Sequence, residues 1–255
     1  MKKVLVLVLC LSVTSMVSAQ TLVAHWPLDC DGSNTVNSAL DGVNIGGVTY
    51  NGCGGVFGGS AVFNGIDSGI DINNAVITTP TTAYSLSYWV KPYVYDAGSG
   101  YDSVISTWGW QAGDTVHSVL RPTGEACVGT WFDGPASQFQ TISVLPLNQW
   151  THVGFTYQVT DLVAGDGVCT LYFNGVEDNV LTLTGTAAET TIRDLTIGCW
   201  DAWGTLARFM SGEVDEIKIF DGALSAEQMA ELAVPEPMTL SLLALGGLAL
   251  ARRRR

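Results

Sequence analysis

The sequence predicts an all-β protein built as a two-sheet antiparallel sandwich, and three observations predict it. Short runs rich in valine, isoleucine, threonine and aromatics recur along the chain, separated by Gly, Asn, Asp and Pro. Several runs alternate. In THVGFTYQ, Val153, Phe155 and Tyr157 share one face, while His152, Gly154, Thr156 and Gln158 share the other, the period expected of a strand with one buried side. Helical periodicity is almost absent, which leaves sheet-on-sheet packing as the way to close a core.

In chain order, the strand-like runs are LVAHWPL, SAVFNG, YSLSYWVKP, DSVISTW, HSVLRP, EACVGTW, QTISVL, WTHVGFTYQ, CTLYFNG, NVLTLTG, DLTIGCW and GEVDEIKIF. Asn174-Gly175 closes one run with the residues that a tight hairpin turn demands. One short helix is expected after the last strand, in SAEQMAELA, where Ser225 and Gln228 have capping-box spacing ahead of Met229 and Leu232.

The two ends differ from the middle. Residues 1–19 have the layout of a secretory signal: Lys2 and Lys3, an apolar run, then Val17 and Ala19 as the small residues before a cleavage point. Residues 20–233 make one all-β domain, and residues 234–255 form a separate tail. Between its basic ends the chain carries five cations (Lys91, Arg121, Arg193, Arg208, Lys218) against 24 acids, a net charge of −19. Such a surface disfavours nucleic acid as a partner and can retain divalent cations. Five cysteines follow the signal, and in an exported chain disulfides are the default. Several pairings are open. Cys30 with Cys53 is preferred, because both lie in glycine-rich loop sequence (DCDGS, NGCGG), whereas Cys127, Cys169 and Cys199 read as small buried hydrophobes.

HWPLD, AVFNGIDSGIDI, YSLSYWVKP, QWTHVGFTY, TLYFNG, LTIG and GEVDEIKIFDGALSAEQMAEL occur in an order and spacing that resembles the laminin G-like, concanavalin A-like jelly-roll domains. The resemblance implies an exported module that binds carbohydrate or surface protein, and less often an enzyme. The tail resembles a PEP-CTERM sorting signal: Pro235, Glu236 and Pro237, an apolar stretch from Met238 to Ala251, then Arg252 to Arg255. This implies an exosortase-type enzyme as partner and a location at the surface of, or outside, a bacterium with an outer membrane. About 14 residues at 1.5 Å each span roughly 21 Å against a core of about 30 Å, so membrane contact through this segment is expected to be transient. The arginines are expected to stay cytoplasmic.

No catalytic constellation is convincing. Glu213 and Asp215 share a strand face about 6.7 Å apart, as in jelly-roll glucanases, but Ile217 and Lys218 stand where a third carboxylate belongs, and alternation aims Glu216 the other way. His25, His117 and His152 are scattered, and no nucleophile elbow or phosphate loop is present. Domains resembling this one often hold a structural calcium between the first and last strands; Asp29 and Asp215 match those positions, and Asp31 is a further candidate. Of the tryptophans, Trp26, Trp89 and Trp150 are expected in the core. Trp200 and Trp203, flanking Asp201, are the first candidates for stacking sugar rings, and Trp108 and Trp110 the next. The expectation is a non-catalytic glycan-binding or adhesion module. A polysaccharide-active enzyme and a structural matrix component are the alternatives.

Overall fold

A computed structural model describes residues 20–95, 100–107, 116–130, 139–202 and 204–235. The strands are β1 (Thr21–Trp26), β2 (Val43–Ile45), β3 (Thr49–Tyr50), β4 (Ala61–Asn64), β5 (Gly69–Val76), β6 (Ala83–Pro92), β7 (Asp102–Thr107), β8 (Val116–Leu120), β9 (Ala126–Thr130), β10 (Thr151–Asp161), β11 (Asp166–Phe173), β12 (Val176–Leu183), β13 (Arg193–Ile197), β14 (Trp200–Asp201), β15 (Leu206–Ala207) and β16 (Ser211–Asp221). One helix, α1 (Ala226–Leu232), follows them, and a 3₁₀ turn covers Ser38–Leu40.

All pairings are antiparallel. The larger sheet runs β12-β11-β10-β6-β16-β4-β3, and the smaller runs β2-β5-β13-β7-β8-β9. The strand β16 lies along β6 on one side, and on the other it is met by β4 at its first half and by β1 at its second. Alternation decides which side chains enter the core. Tyr84, Leu86, Tyr88 and Val90 of β6, with Val153, Phe155 and Tyr157 of β10, meet Ile70 and Ile72 of β5 and Leu195 and Ile197 of β13 in one cluster. At about 25 cal/mol per Å² of apolar surface, burial of this kind is the main source of stability.

Local signals act as the residue types require. Asn174 and Gly175 both have positive φ, 50° and 78°, in the turn between β11 and β12. Ser225 and Gln228 form both bonds of the capping box, and Met229 is buried. Met229 packs onto β10 because Gly154 has no side chain, and a Cβ there would collide with it.

Three expectations change. QTISVL is not a strand: it makes one bridge, Cys127 to Gln140, because the N–H groups of Ile142 and Ser143 donate instead to the Asp178 carboxylate. Trp26 is in the core, where its indole N–H donates to the Leu40 carbonyl at 2.8 Å. Trp89 is buried on the outer face of the larger sheet, edge-on to His152 at 5.4 Å, and Trp150 is only partly covered and donates to the Gly54 carbonyl at 3.1 Å. The expected Cys30–Cys53 bond is absent: both thiols are exposed and free. Cys127, Cys169 and Cys199 are buried, which pushes their thiols up to about 11, 12 and 12.

Candidate binding faces

The outer face of the larger sheet carries a row of buried acids from β16. The expectation that Glu216 points to the opposite face from Glu213 and Asp215 fails, because the register slips between Asp215 and Lys218. Glu216 takes φ +53°, and this bulge sends Ile217 inward while Asp215 and Glu216 both turn outward. Glu216 accepts from His25 at 3.1 Å and from Lys218; burial works against its charge, and these two partners outweigh it and hold the carboxyl below its usual range.

Glu213 is 1% exposed and accepts from Lys91 at 2.7 Å, Ser60 at 2.6 Å and Tyr93. Those bonds overcome its burial and hold it below the ordinary value. Glu213, one of the two carboxylates that suggested a glucanase, is therefore committed to internal partners.

Asp215 differs from its neighbours. It is fully buried beneath the glycine-rich loop of residues 51–60, where Oδ2 accepts the N–H groups of Val56 at 2.7 Å and Phe57 at 3.1 Å. Oδ1 is buried with no partner among the described residues. Burial pushes its carboxyl up to about 7, with the charges of Glu216 and Asp29 adding to the effect. Asp29 holds the same loop through Gly59 N–H at 2.6 Å. An orphaned oxygen beside a second carboxylate suits a cation that prefers oxygen. Among the described residues, no three His, Cys, Asp or Glu side chains gather around a common point, so backbone carbonyls would have to complete the shell. Asp31 stands apart: it is exposed, and its carboxylate caps Ser33 N–H at 2.8 Å.

The outer face of the smaller sheet has another character. The register aligns Asp71 with Thr196, Thr196 with Ser106 and Ser106 with His117, one polar row across four strands. At its side β14 and β15 form a small hairpin, closed by Asp201 Oδ1 accepting Gly204 N–H at 2.6 Å. Leaving the hairpin, Arg208 takes φ +52°, a conformation costly for a side chain of this size. Its guanidinium lies 4.5 Å from the Trp200 ring centre and 5.2 Å from that of Tyr101. Arg121 approaches the same tyrosine at 6.0 Å. His117 is buried, and burial together with Arg208 brings its imidazole down to about 4, so it is neutral at physiological pH.

Of the residues expected to bind ligand, Trp200 and Asp201 fall on this corner. Trp203, Trp108 and Trp110 lie outside the described residues, as do Glu236 and Pro237; Pro235 is exposed after α1. Among the described residues no helix is long and apolar enough to cross a membrane. Sequence reasoning missed Tyr101, Arg208 and Arg121. The signal available was scarcity: three arginines in residues 20–233, two of which converge on one ring.

A family model described as the concanavalin A-like lectin/glucanases superfamily matches residues 64–230, and the PEP-CTERM protein-sorting motif matches residues 233–255. Domain 4 of AbnA, a GH43 extracellular arabinanase from Geobacillus stearothermophilus, solved with arabinotriose, superposes with a TM-score of 0.62 at 24% identity over 84% of this chain and 99% of that one. The botulinum neurotoxin type G receptor binding domain gives a TM-score of 0.56 at 14% identity; the match covers 83% of this chain and half of that one. At these identities the likeness concerns the fold. No curated protein sequence matches the chain.

Proposed function

Given that the chain belongs to the concanavalin A-like lectin/glucanases superfamily and carries a motif that directs export and sorting to the cell envelope, we propose that it is a surface-sorted, non-catalytic glycan-binding module. The observation that carries this reading is the Trp200–Arg208–Tyr101 corner beside the row of Asp71, Thr196, Ser106 and His117. Rigid amphipathic rings supply apolar contact at small entropic cost, and the guanidinium adds positive charge beside them. Asp71, the partly exposed end of the row, offers a carboxylate of the kind that orients sugars, with Thr196, Ser106 and His117 buried behind it. The arabinotriose held by the AbnA domain makes arabinan oligosaccharides the first probes to try. A glycan array on the full-length protein tests the reading: bound oligosaccharides that Trp200→Ala releases support it, and an array without binders sinks it.

Binding is favoured over turnover because, of the pair that suggested a glucanase, Glu213 is locked by hydrogen bonds to Lys91, Ser60 and Tyr93, and Asp215 is fully buried beneath the loop of residues 51–60, whose N–H groups it accepts. Asp29 and Asp215 are the residues that would hold a calcium ion. Its task there would be to pin the loop of residues 51–60 to β16, with no part in bond cleavage. The sorting reading assigns Pro235, Glu236 and Pro237 to recognition by an exosortase-type enzyme. Replacing all three by alanine then leaves a longer, membrane-retained form, and an unchanged mature mass rejects that role.

A further inference from the structure

On the opposite side of the sandwich from the Trp200 corner, a cleft of about 350 Å³ opens between the outer face of the larger sheet and the segment leading into α1. Its floor follows from register. Thr156 pairs with Thr170 and Gln158 with Val168 across β10 and β11, so two hydroxyl-bearing side chains, a carboxamide and an apolar patch lie side by side. Its wall is the stretch before α1, held to β6 by Ser85, which donates to the Gly222 carbonyl at 2.8 Å and accepts Leu224 N–H at 2.8 Å. At the far side Gln228 donates to Gln20 at 3.1 Å, which sets two more carboxamides at the rim.

We propose that this cleft is a second binding site, for a neutral sugar unit. The volume falls at the lower end of that of ligand pockets. No charged side chain lines it, and Glu177 and Glu227 lie near enough to Tyr172 to add to the effect of burial on its hydroxyl, a field that repels phosphate, sulfate and uronate. Carboxamides and hydroxyls each donate and accept, as sugar hydroxyls do. Val168 and Leu224 offer a surface for the C–H face of a ring. Gln158 is exposed and lines the cleft, so its carboxamide can meet a ligand, while Thr156 and Thr170 form the buried floor beneath it. With a site on each side, one molecule would bridge two glycan chains.

The test is a titration of the full-length, ¹⁵N-labelled protein with cellobiose and with maltose, followed through the carboxamide signals of Gln20, Gln158 and Gln228. Saturating shifts at these signals, weakened about tenfold by Gln158→Ala, which removes one neutral hydrogen-bonding group worth about 1.4 kcal/mol, support the site. Gln158 is exposed, and its truncation leaves the core intact. Thr170→Val, which keeps the shape and removes the hydroxyl, weakens binding likewise. Carboxamide signals that stay fixed with both sugars, shifts that appear only at the Trp200 indole, or equal affinity in both variants overturn the proposal.

Discussion

The two outer faces of this sandwich solve opposite problems with similar residues. On the larger sheet, Glu213, Asp215 and Glu216 are buried, and their charge is met by Lys91, Lys218, His25 and backbone N–H groups. On the smaller sheet, cations lead: Arg208 and Arg121 rest on aromatic rings, and Trp200, Tyr101 and Arg208 remain partly exposed. Charge enclosed by partners holds the fold together, whereas on the smaller sheet charge lies against partly exposed rings. The first arrangement is costly to break, and the second costs the fold little when altered.

The largest expected effect tests the enclosed side. Glu213→Ala strands Lys91 beside a hole and lowers stability by about 3–5 kcal/mol, a fall of roughly 6–20 °C in melting temperature, read by calorimetry. A loss below about 1 kcal/mol would show that the network is decorative. The exposed side responds the other way. Trp200→Ala weakens glycan binding by about 2 kcal/mol, roughly thirtyfold, while the melting temperature moves by a few degrees at most; early unfolding instead would assign the ring to the scaffold.

Protons sharpen the contrast. His117 and His152 are neutral when buried, at about 4 and about 3, and both titrate near 6.5 once unfolded. The unfolded chain therefore binds more protons below 6.5, and stability falls as pH drops from there toward 4. His152→Gln shallows that acid limb in a stability profile measured by urea unfolding. Asp215 has the reverse sign: with its carboxyl raised to about 7, the fold loses stability as pH climbs from about 4 to 7. A calcium ion held at Asp29 and Asp215, as proposed, would bind the ionised form and offset this loss, so its effect on melting temperature would grow across the same range and vanish in Asp215→Asn. A melting temperature indifferent to calcium and chelator at pH 8 removes the ion. This is the smallest of the four effects.

How far residues alone reach is clear from particular positions. Period-two alternation placed Val153, Phe155 and Tyr157 in the core, and Ser225 with Gln228 placed the helix, because each signal is local and repeats the geometry that it encodes. The bulge at Glu216 was not legible: a glutamate at φ +53° has no local signature, and the slip exists only because Ile217 gains a core site by it. Trp89 was misplaced for a related reason. Its face is outward by alternation, and it is nonetheless buried there, edge-on to His152. Arg208 and Tyr101 are far apart in the chain, so their stacking is a product of topology, visible beforehand only in how few cations the domain has.

The place of β16 in its sheet has a consequence for timing. It is the last strand to be made, yet β6 flanks it on one side and β4 and β1 on the other. The larger sheet therefore has a gap at its centre until residue 221 arrives, and the first strand has no neighbour but the last. Pairings this distant in sequence form slowly. Until then the edges of β6, β4 and β1 that face β16 have no partner, so the larger sheet closes only once its final strand is in place.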